Sequence, residues 1–193
     1  FIMKSLLKIF PALLFITLLF SCRKNEEYQV FAIRYSDGWK IRASDWVIGA
    51  RPTDSVDVCE MFWLIKSCDG KNILVDAGFI DSTHSNKNFI RPDSMLMRLN
   101  IEPSDISDII LTHPHNDHIG GIILFPTARV WMQKDDYEYF TGPAWEEGGY
   151  RYGFEKNDVE NIIEVNSQGR LKLVNGDNIE IMPGIRVFIG SKH

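Results

Sequence analysis

The chain has 193 residues, 45% of them hydrophobic and 12% aromatic, with a formal net charge of −5. That apolar content suffices for a sizeable core in about one domain. The acidic balance, with no basic stripe, argues against a nucleic-acid-binding surface, and no internal repeat or low-complexity tract interrupts the chain.

Met3, Lys4 and Lys8 precede an apolar stretch at 9–20. The stretch is too short and wrongly flanked for a membrane-spanning helix, and it reads as an export signal. Leu-Phe-Ser-Cys at 19–22 resembles a bacterial lipobox. That resemblance implies a signal at 1–22, lipidation of Cys22, a tether at 23–28 and a domain over 29–193. It places the protein in the cell envelope, in the periplasm or at the outer membrane, with a lipid anchor in the bilayer. An uncleaved anchor, or a soluble exported form with an incidental cysteine, is the alternative.

Residues 29–35 and 39–48 alternate like two strands about an Asp37-Gly38 turn. Residues 56–65 form a longer apolar strand, and Asp69-Gly70 turns the chain into a strand at 73–75. Cys59 and Cys68 sit nine residues apart on extended chain, roughly 30 Å, beyond the ~7 Å reach of a disulfide. Short helical pieces at 93–99 and 103–105 lead to a buried strand at 108–112. A strand at 128–132 precedes a helix at 134–140, a Gly-, Trp- and Tyr-rich loop at 142–153, and helical spacing at 158–165. Strands at 170–174, 178–182 and 185–189 follow, joined by Asn175-Gly176 and Pro183-Gly184 turns. Tyr137, Tyr139, Phe140 and the aromatics of 145–152 read as core or rim packing, with an acyl-binding wall as the alternative.

The strand at 108–112 runs into Thr-His-Pro-His-Asn-Asp-His-Ile-Gly-Gly at 112–121, which holds three of the five histidines. Extended chain projects His113 and His115 to one side, ~7 Å apart at the backbone, so two imidazoles converge on one cation. Asn116 is placed to cap a helix into residues 119–124, which re-aims Asp117 and His118 at a second position. Gly120 and Gly121 permit close backbone approach there. Imidazole pairs and an imidazole–carboxylate pair suit Zn²⁺, with manganese or iron also compatible.

His-x-His-x-Asp-His followed by glycines resembles the signature of the metallo-β-lactamase superfamily. Within it the chain is most similar to the N-acyl homoserine lactonases, through Phe-Trp-Leu-Ile-Lys at 62–66, Ile-Leu-Val-Asp-Ala-Gly-Phe at 73–79, the decapeptide, and Gly-Ser-Lys-His at 190–193. The resemblance implies an α/β (α+β layered) αββα sandwich, of which this chain carries the N-terminal half or somewhat more. It implies two divalent ions, with His113, His115 and His193 on the first and Asp117 and His118 on the second. Asp76 would support the site without binding metal. Later ligands of the family have no counterpart after His193, so the domain is expected to be C-terminally truncated.

Such a site would ionise a water between two cations, attack a lactone or related ester carbonyl, and use Asp117 as ligand and proton shuttle to the leaving oxygen. Hydrolysis of a thioester or β-lactam on the same scaffold is one alternative. The other is a non-catalytic or truncated envelope lipoprotein.

Overall fold

A computed structural model describes residues 27–81 and 88–190. Cys22 and His193 therefore lie outside the described residues.

Six strands form one sheet in the order of the chain: β1 (Tyr28–Arg42), β2 (Ser55–Ser67), β3 (Asn72–Val75), β4 (Ile106–Ile110), β5 (Arg129–Gln133) and β6 (Leu171–Val174). The first three pair antiparallel, and β3 through β6 run parallel. Parallel neighbours need crossovers. These are made by α1 (Pro92–Met97), by α2 (Asn116–Ile119) with a 3-10 turn at Gly120–Leu124, and by α3 (Lys134–Thr141) with α4 (Lys156–Ser167). A separate hairpin, β7 (Ile179–Met182) with β8 (Ile185–Val187), completes the described fold.

Strand periodicity sorts the side chains onto two faces. Phe62, Leu64, Leu74, Ile109, Val130, Met132 and Leu171 point to the helices and bury against Leu96, Ile119, Ile122, Phe140, Ile162 and Val165. Ile73, Asp108, Arg129 and Trp131 occupy the other face. There Ile73, Arg129 and Trp131 line a groove of about 270 Å³ closed by Ile181, Met182 and Pro183 of the hairpin. The Tyr28 hydroxyl donates to the Pro183 carbonyl at 2.6 Å, fixing that hairpin to the start of β1.

Asp108 is fully buried on this face. Its cross-strand neighbour Arg129 grips it with Nε at 2.9 Å and Nη2 at 3.0 Å, and the Trp131 indole donates to it at 2.8 Å. The Arg129 side chain is 47% exposed, so it can be resolvated alone, whereas the carboxylate cannot. Arg129→Ala is therefore expected to cost about 3 kcal/mol, by stranding a buried charge, and Asp108→Ala about 2 kcal/mol. Urea unfolding of both variants checks the order; equal losses would contradict it.

Two local expectations are corrected. Residues 29–48 do not form a hairpin about Asp37-Gly38: β1 runs unbroken past this dipeptide, with register shifts between Arg34 and Ser36 and between Asp37 and Lys40. The reason is tertiary. The long β2 offers a partner along the whole length of β1, and Gly38 lies so close to it that a Cβ would fall 2.5 Å from the Val58 carbonyl oxygen. The strand then ends at Arg42, where Ala43–Asp45 turn as a 3-10 helix. The second correction is at α2, whose N-cap is His115, with Asn116 already inside the first turn. No disulfide joins Cys59 and Cys68.

Candidate metal centre

The site forms beyond the carboxyl ends of two adjacent parallel strands, where chain leaving a sheet leaves room for ligands. Asp76 follows β3, and Thr112 and His113 follow β4. Backbone bonds tie the two segments together: Asp76 N–H donates to the Ile110 carbonyl at 2.9 Å, and Ala77 N–H to the His118 carbonyl at 2.8 Å. Gly121 N–H donates to the Gly78 carbonyl at 2.6 Å, docking the turn after α2 onto residues 76–79.

Asp76 is a buried carboxylate with a left-handed backbone, φ 63°. It accepts from Thr112 N–H at 2.8 Å, from the Thr112 hydroxyl at 2.9 Å, and from His118 Nδ1 at 2.7 Å. Because the Thr112 hydroxyl donates to Asp76, its oxygen is left to accept from His113 Nδ1 at 3.0 Å. In that arrangement both imidazoles carry a proton on Nδ1, and Nε2 is the nitrogen that would be left for a cation.

The four predicted donors of the decapeptide come together. The rings of His113 and His115 lie 4.5 Å apart, and those of His113 and His118 4.0 Å apart. His118 Nε2 is 3.2 Å from Asp117 Oδ2. A tetrahedral ion with bonds of ~2.0–2.1 Å separates neighbouring donors by ~3.3 Å, so this pair fits the edge of such a site. Among the described residues no three His, Cys, Asp or Glu close on one point. The His113 ring lies between those of His115 and His118 in distance terms, nearer to His118, and His193 lies outside the described residues.

Burial disfavours the imidazolium of His118, but hydrogen bonds to Asp117 and Asp76, with their charges, outweigh it and push the pKa up to about 10. Burial also raises Asp117, yet the bond to His118 and the nearby positive charge leave its carboxyl below the ordinary value. A cation at Nε2 replaces a proton there, so binding releases protons.

Sequence reasoning passed over three residues here. By sequence Thr112 is only the end of a strand. Tyr35, buried against Phe62 and Phe79, brings its hydroxyl to 3.5 Å from the Asp117 carbonyl oxygen. Glu60 of β2 has its carboxyl raised first by burial and then by the charge of Asp117, against the pull of His118. Only Thr112 carried a signal, its adjacency to the motif. The other two arrive from β1 and β2, more than 50 residues upstream of the site.

The charge state predicts a pH response after chelation. His118 has a folded pKa near 10 against an ordinary 6.5, so its stabilisation is whole below pH 6.5 and lost as pH rises through about 10. Asp158 of α4 behaves with the same sign. Burial and then Glu155 raise it from 3.8 to about 7, so its contribution fades between those values. Chelated protein is expected to lose stability from pH 4 to 10 through these groups. Asp158→Asn should flatten the lower half and His118→Gln the upper half. Urea midpoints across that range test it, and an unchanged slope above pH 8 in His118→Gln would refute the coupling.

A sequence profile of the metallo-beta-lactamase superfamily matches residues 61–183. The chain belongs to the metallo-β-lactamase superfamily. N-acyl homoserine lactonase AttM of Azorhizobium caulinodans is 32% identical over an 87-residue alignment that covers 39% of this chain and 33% of that protein. AiiB, an N-acyl homoserine lactonase of Rhizobium rhizogenes, is 26% identical over 124 residues, covering 54% and 45%. The chain thus spans less than half the length of these curated relatives. Among solved structures, a variant of Bacillus thuringiensis AiiA with N-decanoyl-L-homoserine bound at its active site superposes with a TM-score of 0.60. It is 20% identical, over 81% of this chain and 63% of that one. The dizinc quorum-quenching lactonase AidC superposes with a TM-score of 0.58 at 20% identity, over 83% and 62%. These likenesses identify the fold: the sheet with its helical face is part of the metallo-β-lactamase architecture.

Proposed function

We propose that this chain supplies the first part of a dinuclear metallohydrolase site acting on a lactone or related ester. The observation that carries the reading is the line Thr112–Asp76–His118–Asp117, which presents an imidazole nitrogen and a carboxylate oxygen 3.2 Å apart with the outer nitrogen of the ring already engaged. His113, His115 and His193 would hold one ion and Asp117 with His118 the other, zinc being favoured by the imidazole-rich set. When bound, the ions supply an ionised water and polarise the substrate carbonyl.

The chain's own residues do the rest. Asp76 and Thr112 orient the rings of His118 and His113. Asp117, ionised at neutral pH, takes up a proton at its Oδ and passes it to the departing alkoxide. The lactone preference is supported by the names of the relatives, AttM and AiiB among them.

The test uses the protein at its full natural length, loaded with zinc, manganese or iron, against an N-acyl homoserine lactone, a glutathione thioester and a β-lactam. Lactone opening that falls at least ~100-fold in His118→Ala is expected. Turnover of the thioester or β-lactam alone would overturn the lactone assignment, and binding of less than one equivalent of metal would overturn the site.

A further inference from the structure

The rings of His113 and His118 are oriented by hydrogen bonds through Thr112 and Asp76. His115 packs against the loop of residues 142–155 between α3 and α4. The tip of that loop folds back onto the histidine turn, where the Asn116 N–H donates to the Gly153 carbonyl at 2.8 Å. Gly153 has φ 74°, and a Cβ built on it would stand 3.0 Å from both Cγ and Cδ2 of His115 and 3.3 Å from Nε2. The backbone therefore lies directly on the imidazole, and a side chain here would push the ring by a few tenths of an ångström. The rings of Tyr152 and Phe154 meet His115 edge-on from either side of Gly153, at 6.4 Å and 5.8 Å.

This loop is itself fastened to the core. Phe154 packs edge-on against the fully buried Phe140 at 4.8 Å. The Tyr139 hydroxyl donates to the Tyr150 carbonyl at 2.9 Å and accepts from the Tyr150 N–H at 2.8 Å. The Trp145 indole donates to the Phe140 carbonyl at 2.7 Å. Three attachments to α3 thus set the position of the backbone that touches His115.

We propose that residues 150–154 form a clamp that aims His115, with Gly153 as its positioning residue and Tyr139 as its pin. The inference rests on the reading that His115 holds an ion. A shift of a few tenths of an ångström at Gly153 is passed directly to the His115 ring that lies against it. Positioning groups around metal ligands are typically worth 10–100-fold in affinity.

The experiment is a Co²⁺ titration of the chelated full-length protein, followed by visible absorption, with Zn²⁺ competition to give the affinity of each ion. Gly153→Ala is expected to weaken the His113–His115 ion at least ~10-fold and to leave the Asp117–His118 ion within about threefold. In a His115→Ala background the same change should add nothing, because the clamp acts only through that ring. Tyr139→Phe removes the pin without touching the turn and should weaken the same ion several-fold; it decides the matter if Gly153→Ala does not fold. Unchanged affinity in the variant that folds, or an equal further loss in the His115→Ala background, would overturn the clamp. If His115→Ala itself leaves two ions bound with wild-type affinity, the underlying site reading fails instead.

Discussion

Asp76→Asn is expected to give a folded protein whose Asp117–His118 ion binds ~10–100-fold more weakly. Asparagine tolerates the left-handed backbone that Asp76 adopts at φ 63°. Its amide oxygen can still accept from the Thr112 N–H, now at 2.8 Å, so the junction between β3 and β4 survives. What cannot survive is acceptance by the second oxygen. An amide NH₂ in its place faces His118 Nδ1, which is 2.7 Å from Asp76 Oδ2, donor against donor. The imidazole must then turn away or move its proton to Nε2, the nitrogen that faces Asp117. Calorimetric titration with Zn²⁺ beside a thermal melt separates the two outcomes. An unfolded variant, or one with wild-type affinity for both ions, would contradict the role given to this carboxylate.

Gly121→Ala is expected to cost at least ~3 kcal/mol or to prevent folding, whereas Gly120→Ala should stay within ~1 kcal/mol of the parent. A Cβ at position 121 would lie 2.0 Å from the Ala77 carbonyl oxygen and 2.9 Å from its carbon. Both are backbone atoms, held by the Ala77 N–H bond to the His118 carbonyl at 2.8 Å, so nothing flexible can give way. At position 120 the nearest atoms, the Gly78 carbonyl oxygen and Phe79 Cα, stand at 3.4 Å, an ordinary contact. Since this contact seats the turn after α2 against Asp76, any folded Gly121→Ala protein should also lose the Asp117–His118 ion. Urea unfolding of the two variants side by side is decisive: similar stabilities would show that the glycines are equivalent.

The two glycines illustrate how far the chain could be read. Their presence after the histidine motif marks a close approach, and the approach is real. Which of the two carries it depends on where residues 76–79 lie, a segment more than 40 positions upstream. The same holds for β1. Alternation about Asp37-Gly38 suggests a hairpin on local grounds, and it yields to a longer ladder because β2 is long enough to pair on both sides of the dipeptide. Thr112 looked like the last residue of a strand, yet its hydroxyl links Asp76 to His113. The aromatic segment after α3 gave no local sign that its glycine at 153 would lie against His115.

By itself the sequence gathered four metal-type side chains in one motif and pointed to the family they belong to. His113, His115, Asp117 and His118 are bunched within six positions, and short-range spacing is set by covalent geometry alone. It also marked the strands of the sheet after β1, because apolar runs bounded by turn residues bury in only a few ways. Tertiary structure alone decided what aims those donors. Asp76 orients His118 across 42 positions, and Gly153 walls His115 from 38 positions away. Orientation is fixed by hydrogen bonds and contacts of a few ångströms between segments remote in the chain. No pattern local to the motif encodes which segments those are.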